Sequence, residues 1–292
     1  MATTDPVQSY VFAEQEQSPI TRRKLFKNLE RLLGRPVLAY FTSFKHPVMI
    51  NDQDADSLEG MLQKMDLSKG LALLINSPGG NGLAAERIIK ACRSYSGTGD
   101  YWAIVPNKAK SAATIICAGA SKIFMGPTSE LGPIDPQIVI NKRTTGSVYN
   151  VVKSYEDLFA RAVGAKGNLE PFLQQLSNYD EKEIAEYRMA LSLSEDIAIK
   201  TLATGMMKGS SEDEIKKKIN MFLTPETTKT HGRPIYREEA FTCGLQVENL
   251  EASDGRWILI YELYVRLNNY VTYKTSKCIE TRDKSYRAAI PK

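Results

Sequence analysis

Three short segments of the chain carry residue types that could break an acyl bond. Residues 76–80 (NSPGG) contain paired glycines, Ser111 opens the apolar segment SAATIICAGA, and Asp135 lies between isoleucine and proline in GPIDPQ. A serine hydroxyl is a nucleophile once a base takes its proton, and the N–H groups of a glycine turn can stabilise the resulting oxyanion. The segments therefore indicate attack of a serine on a carbonyl group.

Each of these motifs also has a purely structural interpretation. Paired glycines are common in tight turns, serine is a good N-cap, and aspartate beside proline often forms an Asx turn. The small side chains of Ala109, Ala112 and Ala113 flank Ser111 and leave room for an acyl group. These neighbours favour the catalytic interpretation of Ser111 over the capping one.

A catalytic serine needs a base, and the chain contains two histidines, His46 and His231. His231 lies in THGRP, a loop sequence before a predicted helix, from which a side chain can reach a cleft. We interpret His46 as structural, and Asp135 could orient and stabilise the imidazolium of His231. Desolvated lysines are the second candidate bases, and Lys153 and Lys166 follow the serine in a helical region.

Strands and helices are predicted to alternate over about residues 36–126. An amphipathic helix that follows a cap at Thr21 and ends at Gly34 precedes a strand at 36–42, and the apolar run at 70–76 is typical of a strand buried in a mostly parallel sheet. This alternation predicts an α/β fold with right-handed crossovers. The three motifs follow predicted strands, and ligands of open α/β sheets collect at the carboxyl ends of strands.

The second half of the chain is predicted to be mainly helical. Residues 148–163 and 180–203 have helical apolar spacing, and Ser211 with Glu214 forms a capping-box pattern before a basic segment. The aromatic-rich residues 256–273 are interpreted as a helix that covers the sheet or forms an oligomer surface.

The composition is that of a soluble globular protein. The chain has 292 residues, of which 42% are hydrophobic and 25% charged, and its net charge of +4 is dispersed. We therefore expect no nucleic-acid or membrane-surface partner. The polar residues 1–17 are expected to form an arm and residues 18–292 a single domain.

Two further features of the composition restrict the class of protein. The four cysteines have no paired spacing, so neither a disulfide framework nor a zinc site is expected. Apolar stretches are too short to span a bilayer, and the N-terminal sequence has no signal-peptide pattern. We therefore expect a cytoplasmic protein without a membrane anchor.

The order SPGG, then AKSAAT, then GPTSELGPIDPQ resembles the serine dehydrogenase proteinase family. This family is a branch of the Clp protease and crotonase superfamily related to signal peptide peptidase A. The resemblance runs from about Lys24 to Arg287 and includes RKLFKNLERLLGRPVLAYF, THGRPI and EEAFTCGLQV. Each motif is weak alone, but their order and spacing are specific.

The resemblance implies a Clp protease/crotonase-like spiral of β-β-α units with a helical C-terminal half. It further implies a serine endopeptidase with an oxyanion hole at Gly79 and Gly80 and a triad of Ser111, Asp135 and His231. A polypeptide substrate, a homo-oligomer and the absence of any metal or other cofactor are implied as well.

Two alternatives remain open at the level of the sequence. Relatives of signal peptide peptidase A use a Ser-Lys dyad, in which Lys153 or Lys166 would be the base. The chain could also be a non-catalytic Clp/crotonase-like scaffold that binds a partner. Asp135 follows Ser111 by 24 residues (135 − 111), where a Clp protease carries its histidine, so a triad requires the reordered sequence Ser-Asp-His.

Overall fold

The computed structural model describes residues 7, 10, 19–140 and 144–291. Apart from residues 7 and 10, the predicted arm at 1–17 lies outside the described residues. The strands are β1 (Val37–Thr42), β2 (Leu71–Asn76), β3 (Tyr101–Val105), β4 (Lys108–Ala109), β5 (Lys122–Met125), β6 (Glu130–Leu131), β7 (Gln137–Ile140), β8 (Thr144–Ser147), β9 (Ile235–Tyr236), β10 (Val247–Asn249), β11 (Lys277–Glu280) and β12 (Ser285–Ala288).

Helices dominate the second half of the described chain, as the sequence predicts. They are α1 (Arg23–Leu33), α2 (Asp52–Leu62), α3 (Gly82–Tyr95), α4 (Ala112–Ala118), α5 (Val148–Gly164), α6 (Glu170–Leu176), α7 (Glu181–Ala203), α8 (Glu212–Leu223), α9 (Pro225–Thr228), α10 (Arg237–Thr242) and α11 (Gly255–Tyr273). The predicted capping box is present at the start of α8, where Ser211 Oγ accepts from the Glu214 N–H and Glu214 accepts from the Ser211 N–H.

A seven-stranded mixed sheet lies at the centre, in the order β10-β5-β3-β2-β1-β11-β12. The strands from β10 to β1 are parallel, and β11 and β12 continue the sheet in antiparallel pairing. Every residue of β2 is buried, which confirms the prediction of a strand covered on both faces. The carboxyl end of β2 leads directly into the NSPGG turn.

Helices cover both faces of this sheet. Leu38 and Tyr40 of β1 face the layer that contains α2, α3, α4, α7 and α8, whereas Ala39 and Phe41 face α1 and α11. Trp257 of α11 is 7% exposed and packs in this second layer. The aromatic-rich segment is therefore a helix that covers the sheet, one of its two predicted roles.

A buried ion pair fixes the start of α1 to the antiparallel side of the sheet. Arg22 donates through Nε and Nη2 to Glu280 Oε1 and Oε2, at 2.6 Å each. Both side chains are almost fully buried, and the Arg22 guanidinium also lies over the Tyr270 ring. Such a bidentate pair holds two elements distant in sequence in one geometry.

None of the helices in the described part of the chain combines the length and the apolarity needed to cross a bilayer.

Candidate active site

A small three-stranded sheet brings the candidate catalytic segments together. Its order is β4-β6-β9, with β4 parallel to β6 and β6 antiparallel to β9. Ser111 follows β4, Asp135 follows β6, and His231 precedes β9. Segments far apart in sequence therefore meet beside the carboxyl end of β2, because Ser77 also bridges to Ala109 of β4.

Ser111 has an unusual backbone conformation at the start of α4. Its φ of 50° and ψ of −121° are rare for a residue with a side chain. It occupies the N-cap position, but its side chain makes no capping hydrogen bond. The interpretation of this serine as a helix cap is therefore not supported. Backbone strain of this kind is concentrated at functional sites. Ser111 lines a cavity of about 900 Å³.

The two glycines of NSPGG are required by close backbone contacts. Gly79 and Gly80 have φ values of +103° and +152°. A Cβ at Gly79 would lie 2.7 Å from Ser111 Cβ, and one at Gly80 would lie 2.4 Å from the Ile50 nitrogen. The turn thus packs against the candidate nucleophile at a distance that no other residue permits.

The glycine turn and the residue after Ser111 contribute backbone N–H groups to the wall of the cavity that Ser111 lines. Gly79 N–H donates to Ser77 Oγ at 3.1 Å, so it is already used within the turn. The N–H groups of Gly80 and Ala112 make no hydrogen bond with any described residue. Ala112 was not singled out as a donor from the sequence, although it directly follows the serine and begins a helix, where N–H groups lack partners.

His231 and Asp135 form the contact expected of a base and its orienting group. His231 Nδ1 lies 2.7 Å from Asp135 Oδ1, and the Asp135 side chain is fully buried. Asp135 Oδ2 accepts a second hydrogen bond from Gln137 Nε2 at 2.9 Å. An ionised carboxylate only accepts, so Nδ1 carries the proton and Nε2 keeps a lone pair. His231 lines the same cavity as Ser111.

A buried hydroxyl joins the serine segment to the aspartate segment. Thr114 Oγ1 lies 2.8 Å from the Ala109 carbonyl oxygen and 2.9 Å from that of Gly132, and it accepts from Gly132 N–H at 3.1 Å. Ala109 precedes Ser111 by two residues and Gly132 precedes Asp135 by three. The sequence did not reveal this residue, because a threonine inside an apolar helix carries no local signal.

The candidate lysine bases do not reach this cavity. Lys153 forms an ion pair with Glu226 at 3.6 Å, Lys166 is exposed after α5, and neither lines the cavity of Ser111. Lys110, next to the serine, donates to the Leu131 carbonyl at 3.0 Å, and burial lowers the pKa of its amino group. His46 lines the cavity, but its Nε2 lies 3.1 Å from the Thr272 carbonyl oxygen.

In the described residues, no cluster of three or more histidine, cysteine, aspartate or glutamate side chains is placed to hold a metal ion. Ser111 and His231, which line one cavity, are of the residue types that serve as nucleophile and base in acyl transfer.

Residues 40–160 of the chain match the model of the ClpP-like SDH-type serine proteinase family. This match supports the family inferred from the motifs, and the mixed α/β architecture agrees with a ClpP-like fold. The matched range contains Gly79, Gly80, Ser111 and Asp135 but ends before His231.

Two curated relatives from Methanocaldococcus jannaschii are similar to the chain. Uncharacterized protein MJ0137 is 27% identical over 217 residues, which cover 74% of this chain and 64% of that protein. Uncharacterized protein MJ1495 is 27% identical over 125 residues, which cover 40% of this chain and 42% of that protein. The chain therefore spans less than two thirds of the length of these relatives.

Proposed function

We propose that the protein is a serine endopeptidase in which Ser111, His231 and Asp135 act as nucleophile, base and orienting carboxylate. The observation that carries this proposal is the 2.7 Å contact between His231 Nδ1 and buried Asp135, on a histidine that lines one cavity with Ser111. The strained backbone of the serine supports it. The family supports a serine peptidase more generally.

The proposed reaction is that of a serine triad; Ser111 and His231 line one cavity but share no hydrogen bond in this structure. His231 Nε2 takes the hydroxyl proton while Ser111 Oγ bonds to the peptide carbonyl carbon, and Asp135 stabilises the imidazolium. Collapse of the tetrahedral intermediate breaks the C–N bond, and the leaving amine takes the proton from Nε2. Water then attacks the acyl-enzyme with His231 again as base, which releases the carboxylic acid and regenerates the serine.

We assign stabilisation of the oxyanion to the N–H groups of Gly80 and Ala112. The sequence predicted Gly79 and Gly80 for this role, and the Gly79 N–H is occupied by Ser77 Oγ. Gly79 contributes through its shape, because it lets the turn approach Ser111. Loss of one such donor costs about 3 kcal/mol of transition-state stabilisation.

A Ser-Lys mechanism has no comparable support. Lys153 pairs with Glu226 outside the cavity, and Lys166 is exposed. Lys229 is the one lysine among the described residues that line the cavity. Its Nζ donates to the Glu226 carbonyl oxygen at 2.6 Å.

The assembly and the location of the protein also belong to this proposal. We propose that residues 18–292 form one domain, and that the protein is a cytoplasmic homo-oligomer that acts on polypeptides. An oligomer interface was one of the two roles predicted for the aromatic-rich segment, but much of that helix packs on the sheet. Exposed apolar side chains of Phe159, Val163 and Leu173 on α5 and α6 offer a surface for contact between copies.

Cleavage of an unfolded protein substrate tests the proposal. Wild type is expected to release fluorescent peptides from labelled casein, and Ser111→Ala is expected to lose at least about a thousandfold in rate. Ser177→Ala, which alters an exposed serine directly after α6, is the matched control. Equal rates in wild type and Ser111→Ala would remove Ser111 from the mechanism. A folded wild type without activity would favour the scaffold interpretation.

A further inference from the structure

The start of helix α5 forms part of the wall of the cavity that contains Ser111 and His231. Ser147 and Asn150 both line this cavity. Strand β8, which ends at Ser147, pairs with β7 directly after Asp135, and Val148 N–H donates to the Pro136 carbonyl oxygen at 3.0 Å. The beginning of α5 is therefore held next to the loop that carries Asp135.

This helix start lacks the hydrogen bonds that normally complete it. Ser147 occupies the N-cap position, yet its side chain accepts no hydrogen bond from the helix. Ser147 is 7% exposed, and its Oγ has no partner among the described residues. The N–H groups of half-buried Tyr149 and exposed Asn150 are also unpaired within the described part of the chain. A buried hydroxyl such as that of Ser147 is rarely left in this state unless a ligand or water completes it.

The charged residues in the cavity wall favour an anion, whereas the nearby Glu226 carboxylate pairs with the Tyr149 hydroxyl and Lys153 outside that wall. The described residues that line the cavity include no aspartate, glutamate or arginine. Their one lysine is Lys229. Tyr149 O–H donates to Glu226 Oε1 at 2.7 Å, which ties the first turn of α5 to α9, and Lys229 directly follows α9. The positive end of the α5 dipole and a lysine thus lie on the same side of the cavity.

We propose that the start of α5 binds a carboxylate of the peptide substrate. Ser147 Oγ and the N–H groups of Tyr149 and Asn150 donate hydrogen bonds to its oxygens, and Lys229 supplies a compensating charge. Free N–H groups at a helix N-terminus are suited to this task. The term substrate rests on the proposed peptidase function, but binding of the carboxylate does not require catalysis.

A carboxylate can come from either of two parts of a peptide. The C-terminal carboxylate would direct cleavage to bonds near the end of a chain, whereas a glutamate or aspartate side chain would direct it to acidic sequences. Both present the same planar pair of acceptor oxygens. Peptides that carry one source and lack the other distinguish them.

Binding to the Ser111→Ala variant tests the proposal without any chemical step. Three fluorescent hexapeptides of alanine and leucine serve as probes: one with a free C-terminus, one with a C-terminal amide, and one amidated peptide with a glutamate. Fluorescence anisotropy is expected to show at least one carboxylate peptide binding about tenfold more tightly than the neutral amide. The peptide that does so identifies the source of the carboxylate.

Substitutions in the proposed site are expected to reduce the difference in affinity between the carboxylate peptides and the neutral amide. Ser147→Ala and Lys229→Met, each combined with Ser111→Ala, are expected to reduce the preference for the carboxylate severalfold. Ser177→Ala and Lys166→Met are matched controls on exposed residues outside the cavity and should leave it unchanged. Equal binding of all three peptides, or no binding of any, would overturn the proposal, as would a preference that survives in the Ser147→Ala/Lys229→Met combination.

Ser147→Asp separates loss of binding from loss of folding. The introduced carboxylate is expected to occupy the same N–H groups and cap α5, which raises the melting temperature and removes the preference for acidic peptides. A lower melting temperature together with unchanged carboxylate binding would contradict the proposed site. Because these measurements use the Ser111→Ala background, they remain decisive whether or not Ser111 proves to be a nucleophile.

Discussion

Replacement of Asp135 by asparagine exchanges one carboxylate oxygen for an NH₂ group in a buried position with two fixed partners. Gln137 Nε2 donates to one oxygen at 2.9 Å, and His231 Nδ1 lies 2.7 Å from the other. The Gln137 amide nitrogen only donates, so it selects the oxygen of the new side chain. The asparagine NH₂ group then faces His231 Nδ1, which must accept a hydrogen bond.

This reversal places the imidazole proton on the wrong nitrogen. With Nδ1 as acceptor, His231 carries its proton on Nε2 and cannot take the proton of Ser111. In a serine triad the equivalent change of tautomer lowers kcat by about 10⁴-fold, which corresponds to about 5.5 kcal/mol in the activation barrier. KM should change little, because Asp135 does not line the cavity.

The assay compares kcat for a fluorogenic peptide in wild type, Asp135→Asn and the exposed control Asp157→Asn. Gln137→Leu is then added to Asp135→Asn. Without its donor, the asparagine amide can rotate and present oxygen to His231, so the double variant should recover at least about tenfold in kcat. A loss below about tenfold in Asp135→Asn, or an effect on KM alone, would refute the reasoning.

Three further predictions concern the turn, the fold and the thiols. Gly79→Ala introduces a Cβ 2.7 Å from Ser111 Cβ, so kcat/KM should fall at least about a hundredfold while circular dichroism stays unchanged; retained activity would contradict the packing argument. Glu280→Ala removes the carboxylate partner of buried Arg22 and should lower the free energy of unfolding in urea by about 3–5 kcal/mol, whereas a change below about 1 kcal/mol would contradict it. Burial raises the pKa of Cys92 to about 12, so about one thiol in 10⁴ is ionised at pH 8. Iodoacetamide should leave both this thiol and the peptidase activity intact, and rapid inactivation would argue against a serine enzyme.

Local patterns made much of the fold predictable. Strand β2 is a continuous apolar run bounded by glycine and NSPGG, and α5 and α7 show helical apolar spacing, so neighbouring residues determine these elements. The candidate nucleophile segment was recognisable for the same reason, because small residues surround Ser111 within a few positions. The family match over residues 40–160 supports the resemblance, while the role of Ser111 stays a prediction.

Contacts between distant segments were not predictable in this way. His231 and Asp135 are separated by 96 residues, and their contact depends on the pairing of β6 with β9, two strands of two residues each. Strands this short have no detectable periodicity. The resemblance suggested their pairing in a triad, and only the folded structure supplies a geometry for it.

Side-chain orientation was equally inaccessible from the sequence. Ser147 precedes a helix and would be interpreted as an ordinary N-cap, yet its Oγ does not cap α5. Gly79 was predicted as an oxyanion donor, and its N–H instead binds Ser77 Oγ. The role of each group depends on a side-chain rotamer or on the orientation of a peptide group. Neither can be inferred from the order of residue types.

The most direct test of the central claim is to locate a fluorophosphonate adduct by tandem mass spectrometry. The probe loses fluoride when a nucleophilic oxygen attacks phosphorus, so it reports both the nucleophile and its base. The account predicts a single adduct on Ser111, formed about a thousandfold more slowly in His231→Gln and at the wild-type rate in Lys166→Met. An adduct on another residue, or undiminished labelling of His231→Gln, would contradict it.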